Sequence, residues 1–286
     1  MTTEELQKSV QKVSDYCQQK FGNTATKQLY SNALKMFLGS FPNAYNVKDI
    51  SDEKILEYLL KIPGRSNRCT HHSAIKLMYR LYGFKNKMRF IPYPEKEDKL
   101  PVHVNMDEFL QLINVCHNEK HKAIICLMFD SGLRVSEVVN LKLSDIDSSN
   151  MQINIIQGKG RKDRKVKLTE VLLGILKNYC RVYRPIVYLF NGQAGNTQYS
   201  IRSCQEVVKQ LTAKAGLTKH FTPHKMRHGY AMTLLENGSS LSEIGNQMGH
   251  GSEKTTLIYA RMNNKVIQKI VSPLEQIMRN NQNLLG

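Results

Sequence analysis

Four helices are predicted in the N-terminal part of the chain, because apolar residues recur there every three or four positions between polar ones. The apolar positions that define them are, helix by helix, Leu6, Val10, Val13, Cys17 and Phe21; Leu29, Ala33, Met36 and Phe37; Ile55, Leu56, Leu59 and Leu60; and Ile75, Met78 and Leu81. Ser51 is placed to cap the third helix, and the pair Pro63 and Gly64 is placed to end it. We therefore expect a small all-α domain over residues 1–84.

The helical periodicity stops between Gly83 and Asn105, where prolines and charges of both signs replace it. This composition is typical of a linker, which we place at residues 85–104. Asn105 and Glu108 then have the spacing of a helix capping box. A second domain is therefore expected over residues 105–286.

The second domain is predicted to be mainly helical with a small β-hairpin. Its segment HKAIICLMFD is too apolar for a surface helix and is expected in the core, and Ser131 and Gly132 are expected to end that helix. Two strands are predicted from alternating apolar residues, which are Met151, Ile153 and Ile155 in the first and Val166 and Leu168 in the second. Further helices are expected from Val171 to Tyr183 and from Ser200 to Gly216. The predicted fold class is thus mainly α, with an α+β domain after an all-α one.

Charge narrows the choice of partner. The chain has 286 residues, and 41 Lys and Arg against 24 Asp and Glu leave a net charge of +17. Such a surplus favours nucleic acid, because cations set against phosphates release counterions. A generally basic soluble protein and a membrane-surface binder are the alternatives. The sequence has no apolar stretch long enough to span a bilayer and no signal-peptide core at its N-terminus, so a cytoplasmic location is predicted.

Cysteine and glycine spacing give no sign of a cofactor. The six cysteines are scattered and never form a C-x-x-C pair, so neither a zinc cluster nor a disulfide framework is predicted. The segment GKGRKDRK lacks the glycine spacing of a nucleotide-binding loop. We expect no metal and no cofactor.

Candidate chemistry is concentrated between Thr222 and Met262. Here His224 precedes Arg227 by three positions, and His250 precedes Tyr259 by nine. Thr222 as N-cap and Pro223 in the first turn favour a helix, on which residues three apart share a face. Cations that hold an anion, a histidine that moves a proton and a tyrosine that attacks together indicate phosphoryl transfer.

Two further motifs lie upstream in a fixed order. The segment SGLRVSEVVNLKLSDID places Arg134 at the start of an apolar-periodic helix, and QGKGRKDRKVKL places Lys159 at the tip of the predicted hairpin. With these motifs the sequence resembles the tyrosine recombinase family of phage integrases and Xer proteins, from about Asn105 to the C-terminus. Met226 and the pair Gly229-Tyr230 depart from the commonest family pattern, which concerns packing beneath the site.

The resemblance implies roles for six residues. Tyr259 would be the nucleophile, Arg134 and Arg227 would hold the scissile phosphate, and His250 would donate to one of its oxygens. The remaining two are His224, which would assist the phenol proton, and Lys159, which would protonate the leaving 5′-oxygen.

Two of the implied assignments have alternatives. Lys162 is the rival to Lys159 as the general acid, since both lie in the basic tip of the hairpin. Glu137 would orient Arg134 from behind, whereas in the structural alternative the two form a helix-surface ion pair of little energetic weight. Residues that could contact DNA phosphates, or could equally be solvated surface charges, are Lys27, Lys35, Arg68, Lys76, Arg80, Arg161, Lys162 and Arg164.

The function implied is that of a site-specific DNA recombinase, Xer-like or from a mobile element. It would act on a double-stranded recombination site through a 3′-phosphotyrosine intermediate and a Holliday junction. Val266, Ile270, Leu274 and Ile277 keep helical phase in the tail, so residues 263–286 are expected to dock on a neighbouring protomer of a homotetramer or, alternatively, on their own chain. A type IB topoisomerase-like enzyme and a non-catalytic DNA-binding protein are the alternative functions.

Overall fold

The computed structural model describes residues 3–22, 24–42, 44, 46–95, 102–156, 163–192 and 197–249. The chain divides into two units, Met1–Lys99 and Leu100–Gly286. In the described stretches, no helix is both long enough and apolar enough to cross a membrane.

The first unit contains the four predicted helices, which are α1 (Thr3–Phe21), α2 (Thr24–Gly39), α3 (Asp52–Lys61) and α4 (Arg65–Leu81). Helices α1 and α2 pack against each other and against α4, while α3 packs on α4. Ser51 caps α3 as expected, because its side chain accepts a hydrogen bond from the backbone N–H of Lys54. The predicted all-helical character of this region is confirmed.

The inner faces of these helices differ in part from the predicted ones. Leu29 and Met36 of α2 are 57% and 56% exposed, whereas Leu34 and Leu38 are buried. Only about one third of a helix surface faces the core, so an apolar stripe wider than that leaves some of its residues exposed to solvent. On α3, Leu60 is likewise exposed.

The segment predicted as a linker begins by packing on the first unit. Met88 and Ile91 are 1% and 6% exposed and belong to the core of the four helices. A ring nitrogen of His72 lies 3.3 Å from the carbonyl oxygen of Ile91, and the guanidinium of Arg65 donates to the carbonyl of Pro94 at 3.2 Å. The prolines prevent a helix here, but they do not prevent burial of the apolar residues, so the first part of residues 85–104 is not a free linker.

The second unit is mainly helical, with a three-stranded antiparallel sheet in the order β1-β2-β3. The α-helices and strands of its described residues are, in chain order, α5 (Met106–Asn114), α6 (Glu119–Ser131), α7 (Val135–Asn140), β1 (Ile146–Asp147), β2 (Gln152–Ile155), β3 (Arg164–Lys167), α8 (Glu170–Tyr183), α9 (Ile201–Lys214), α10 (Pro223–Glu236) and α11 (Leu241–Met248). The predicted fold class is confirmed. Strand β1 and helix α11 are additions that the apolar pattern did not predict.

Helix α6 is the centre of the second unit. Residues Ala123 to Phe129 are all buried, and α6 packs against α7, α8, α9 and α10. The capping box predicted from Asn105 and Glu108 is present at the start of α5. The helices that surround α6 hold the ends of α7, α10 and α11 in place, and these ends carry the candidate site.

Candidate active site

Arg134 and Glu137 form the first pair of the site at the start of α7. The backbone N–H of Arg134 donates to Oε2 of Glu137 at 2.8 Å, and its Nη1 donates to Oε1 at 2.8 Å. The Arg-x-x-Glu spacing therefore closes into a cap, in which the glutamate satisfies an otherwise unpaired N–H at the helix start. The Glu137 side chain is only 6% exposed, so this is not the surface ion pair considered as the alternative.

Helix α10 positions His224 and Arg227. Thr222 is its N-cap and accepts a hydrogen bond from the backbone N–H of Lys225 at 3.3 Å, and Pro223 occupies the first turn, as the sequence predicts. His224 is exposed, whereas the side chain of Arg227 is 3% exposed. The two side chains therefore reach the site at different depths.

The guanidinium of Arg227 bridges two helix ends. Its Nη1 donates to the carbonyl of Gly132, just after α6, and its Nη2 donates to the carbonyl of Met248 at the end of α11, both at 2.5 Å. The same Nη1 lies 3.9 Å from Oε2 of Glu137. Arg227 thus brings the ends of α6 and α11 to the Arg134 and Glu137 pair.

Arg164 is placed differently from the sequence expectation of a DNA contact. Its Nη1 and Nη2 donate to Oε1 and Oε2 of Glu137 at 2.9 and 2.8 Å, and its side chain is 10% exposed. Its Nε donates to the carbonyl of Gln247 at 3.0 Å. The guanidinium therefore points into the protein, because a buried carboxylate without a cationic partner would be strongly destabilising.

Three arginines converge on Glu137, and its ionisation reflects them. Burial by itself raises the pKa of Glu137, but hydrogen bonds from Arg164 and Arg134 together with the charge of Arg164 lower this pKa to about 2. The carboxylate is therefore ionised at neutral pH and binds two guanidinium groups at hydrogen-bond distance.

The end of α11 is the second structure that the arginines hold. The successive carbonyls of Gln247, Met248 and Gly249 accept hydrogen bonds from Arg164, Arg227 and Arg134, the last at 3.1 Å. A helix C-terminus favours cations, since its last carbonyls lack backbone partners. The backbone immediately before position 250 is thereby joined to the arginine cluster.

Gly249 is required where it lies. It ends α11 in the left-handed conformation with φ 61°, and a Cβ there would come within 2.9 Å of Cδ of Arg164. Side chains other than glycine rarely adopt this conformation. The glycine therefore allows the guanidinium of Arg164 to reach the helix end and Glu137 together.

The position of His224 beside the arginine cluster affects its pKa. Although the residue is exposed overall, its pKa is lowered first by loss of water around its ring and then by the charges of Arg227 and Arg134. The ring contacts His228 edge to face, with centroids 4.3 Å apart. A lowered pKa leaves the imidazole uncharged at neutral pH, with one nitrogen available as a proton acceptor.

Several predicted site residues lie outside the described residues: Lys159, Arg161, Lys162, His250, Tyr259 and the tail 263–286. Strands β2 and β3, which flank the basic tip, pair as predicted, with Ile155 opposite Arg164. In the described parts of the chain, no group of His, Cys, Asp and Glu side chains is arranged to hold a metal ion.

The other DNA-contact candidates lie in the first unit, at separate places. Lys27 and Lys35 line a groove of about 700 Å³ beside α1 and α2. Lys76 and Arg80 line a different groove, of about 430 Å³, and Arg80 donates to the hydroxyl of Tyr16 at 3.1 Å. The remaining candidate is Arg68, whose Nη2 donates to the carbonyl of Ile62 at 3.2 Å, so part of its guanidinium is used within the unit.

The contact between Arg164 and Glu137 was missed by the sequence analysis, although the sequence contains a signal for it. In a strand, residues two apart face the same side, so the alternation that places Val166 in the core also places Arg164 inward. The three carbonyls at the end of α11 have no such signal, because backbone acceptors are the same at every position.

Guanidinium groups held around one carboxylate, one of them partly open to solvent, form a site that can bind an anion such as a phosphate. Residues 103–265 match the sequence model of the Phage integrase family, and the chain belongs to this family of tyrosine recombinases. It is 38% identical over 193 residues to the putative integrase/recombinase y4qK of Sinorhizobium fredii, with 66% of this chain and 61% of that protein covered. The chain thus spans less than two thirds of that relative.

A second relative and a solved structure agree with this assignment. The tyrosine recombinase XerA of Pyrococcus furiosus is 30% identical over 218 residues, with 74% of each chain covered. The structure of a lambda integrase tetramer bound to a Holliday junction has a similar fold, with a TM-score of 0.76, 15% identity, and coverage of 89% of this chain and 76% of that chain. The alternative of a type IB topoisomerase is not favoured, because these relatives are recombinases.

Proposed function

We propose that the hydroxyl of Tyr259 attacks a backbone phosphorus of double-stranded DNA at a recombination site. This step forms a 3′-phosphotyrosyl enzyme and releases a 5′-hydroxyl, and the 5′-hydroxyl of a partner strand then displaces the tyrosine. Two such exchanges pass through a Holliday junction and recombine two duplexes. The covalent intermediate keeps the energy of the phosphodiester bond, so the reaction needs no nucleotide cofactor.

The convergence of Arg134, Arg164 and Arg227 on Glu137 is the observation that supports this proposal most strongly. The pentacoordinate phosphorus carries more negative charge than the diester, and fixed cations stabilise that added charge in the transition state. Arg134, with 23% of its side chain exposed, is the guanidinium that a phosphate can approach from solvent. Arg227 lies deeper, behind the carbonyls that it holds.

Proton transfers follow from the same arrangement. A phenol has a pKa near 10 in water, so Tyr259 needs a base, and the neutral ring of His224 can accept its proton. Lys159, or its rival Lys162, would donate the proton that the leaving 5′-oxygen requires. His250, which follows the anchored end of α11, would donate to a non-bridging oxygen.

The proposed partners are two DNA duplexes and further copies of the chain. The lambda integrase neighbour was solved as a tetramer on a Holliday junction, and a homotetramer with the tail 263–286 docked in trans is the corresponding assembly here. The contacts from the first unit to DNA would include the basic residues of its two grooves. We place the enzyme in the cytoplasm, where its DNA substrate would be.

A covalent capture experiment tests the nucleophile. The protein is incubated with sheared DNA from its host, the mixture is denatured with detergent, and the DNA that remains attached to protein is sequenced. We expect the parent to capture defined segments, and Tyr259→Phe to capture none, because only the attacking oxygen is missing. The variant should still retain the same segments under native conditions.

The control is Tyr183→Phe, which removes the hydroxyl of a half-exposed tyrosine at the end of α8. This variant is expected to capture the same DNA as the parent. Covalent capture by Tyr259→Phe would place the nucleophile elsewhere, and no capture by the parent would contradict the proposed function itself.

A further inference from the structure

Arg164 has all three of its guanidinium nitrogens engaged inside the protein. Nη1 and Nη2 form a two-pronged contact with the carboxylate of Glu137 at 2.9 and 2.8 Å, and Nε donates to the carbonyl of Gln247 at 3.0 Å. A two-pronged guanidinium to carboxylate contact fixes both distance and plane, which a lysine ammonium cannot do. With 10% of its side chain exposed, Arg164 has little surface left for a phosphate.

Charge within the cluster depends on this contact. Three guanidinium groups and one carboxylate give this cluster of four side chains a net charge of +2. The phosphorus carries one negative charge in the diester and a second in the pentacoordinate state. Loss of Arg164 would leave +1, so the cluster would no longer match the charge that develops during cleavage.

Arg164 also determines how Glu137 acts on the other two arginines. Oε1 of Glu137 accepts from both Arg134 and Arg164, and Oε2 lies 3.9 Å from Nη1 of Arg227. A buried carboxylate that lost its best partner would draw the neighbouring guanidinium groups toward itself. Because Arg164 neutralises Glu137, the carboxylate can orient Arg134 without competing with the phosphate for it.

The same side chain connects two catalytic segments of the chain. Arg164 is the first residue of β3, five positions after Lys159, and it holds the carbonyl of Gln247, three positions before His250. Gly249 lies directly against its guanidinium: a Cβ at this position would be only 3.0 Å from Nη1 of Arg164. The start of β3, where the hairpin loop ends, and the end of α11 are therefore fixed to each other through one guanidinium.

We propose that Arg164 is a positioning residue of the recombinase, which neutralises Glu137 and joins the loop end of the β2–β3 hairpin to the end of α11. It acts on the phosphate only through Arg134 and Arg227 and does not bind DNA itself. This inference rests on the proposed function, which gives Arg134 and Arg227 their roles as phosphate ligands.

The test compares three variants in single-turnover cleavage. The substrate is a DNA segment that the parent protein captures covalently, used at saturating concentration, and DNA affinity is measured separately. The variants are Arg164→Lys, which keeps the charge and loses the two-pronged contact, Arg164→Gln, which loses both, and Lys167→Gln. The last is the matched control, since Lys167 is an exposed cation on the same strand.

We expect Arg164→Lys and Arg164→Gln to reduce the cleavage rate on the order of 10- to 100-fold, because small misplacements of groups at a reacting centre have effects of this size. DNA affinity should stay close to that of the parent. Lys167→Gln should cleave at the parent rate. Adding Glu137→Gln to Arg164→Gln should recover part of the rate, since the unneutralised carboxylate is then gone and the two changes are coupled.

The alternative expectation, a phosphate contact, gives the opposite pattern. Arg164→Gln would then lower the affinity for DNA and make that affinity less dependent on salt, while the cleavage rate at saturating DNA would be unchanged. That result would overturn the proposal. If Arg164→Gln does not fold, Arg164→Lys decides, and cleavage at the parent rate by this variant would also overturn it. Failure of the parent to cleave would instead contradict the proposed function.

Discussion

Gly229 lies where α10 packs closely against the segment that leads into α5. A Cβ at this position would be 2.3 Å from the carbonyl oxygen of Val104 and 2.7 Å from Cε2 of Phe129. The backbone N–H of Val104 donates to the carbonyl of Lys225 at 3.3 Å, which keeps the two segments together. The departure from the family pattern noted at Gly229 and its neighbour therefore lies in packing beneath the site.

Replacement of Gly229 by alanine is predicted to destabilise the protein by about 1–3 kcal/mol, the usual cost of overpacking an interior. Backbone has to move, because one of the clashing atoms is a carbonyl oxygen. The control is Gly174→Ala in α8, where a Cβ would meet nothing within 4 Å. This change should stabilise the protein by roughly 0.5–1 kcal/mol, since alanine is the better helix former. Urea denaturation would measure both, and equal effects of the two substitutions would contradict the packing argument.

Among the elements of the second unit, α10 and α11 differ in how they serve the site. Helix α10 carries His224 and Arg227 in its first two turns, so its start determines where they point. Helix α11 contributes no side chain to the cluster among its described residues, but its last carbonyls accept hydrogen bonds from three arginines. The end of one helix and the start of another thus define the site together.

The N-cap of α10 should therefore affect catalysis as well as stability. Thr222→Ala removes the hydroxyl that accepts from Lys225, and Ser200→Ala removes the corresponding cap of α9, where Ser203 donates at 2.9 Å. Each change is expected to cost about 1 kcal/mol of stability. Only Thr222→Ala should slow covalent capture of DNA, by roughly tenfold or more, because α10, unlike α9, carries His224 and Arg227, to which the proposed function gives roles. Equal capture rates for the two variants would show that the start of α10 does not position them.

For the whole molecule, the charge of +17 is the dominant property. Exposed cations that contact phosphates release counterions, so DNA affinity should fall steeply as salt rises. Lys76 lies exposed on α4 in a groove that also contains Lys20 and Arg80. Lys61 on α3 is exposed as well, but its ammonium is 2.7 Å from Glu57.

A plot of log affinity against log salt has a negative slope. Lys76→Gln is predicted to make this slope less steep by about 0.9, the value for one phosphate contact. Lys61→Gln should leave the slope unchanged, since its charge is already compensated by Glu57. Binding titrations at several salt concentrations would give both slopes. A slope for Lys76→Gln equal to that of the parent would remove this lysine from the DNA-contact candidates.

The sequence by itself determined helices α1 to α10 and the β2–β3 hairpin, and its motifs single out the candidates for the reacting groups. These follow from local rules: apolar periodicity for most of the helices, a continuous apolar run for α6, capping residues such as Ser51 for α3 and Thr222 for α10, and the motifs that contain Arg134, His224 and Arg227. Each of these signals lies within a few residues of the feature it predicts. These local rules do not predict that Leu34 is buried and Leu29 exposed, because that depends on which helices pack against α2.

Only the tertiary structure decided what Arg164 contacts and how deep Arg227 lies. Both depend on contacts between residues far apart in sequence, such as Arg164 with Glu137 and Arg227 with Gly132. The cations of the segment GKGRKDRK look alike in sequence, but Arg164, at the start of β3, meets a buried carboxylate and its charge is then used inside the protein. The burial of a charge depends on its partners, and partners are fixed only when the chain has folded.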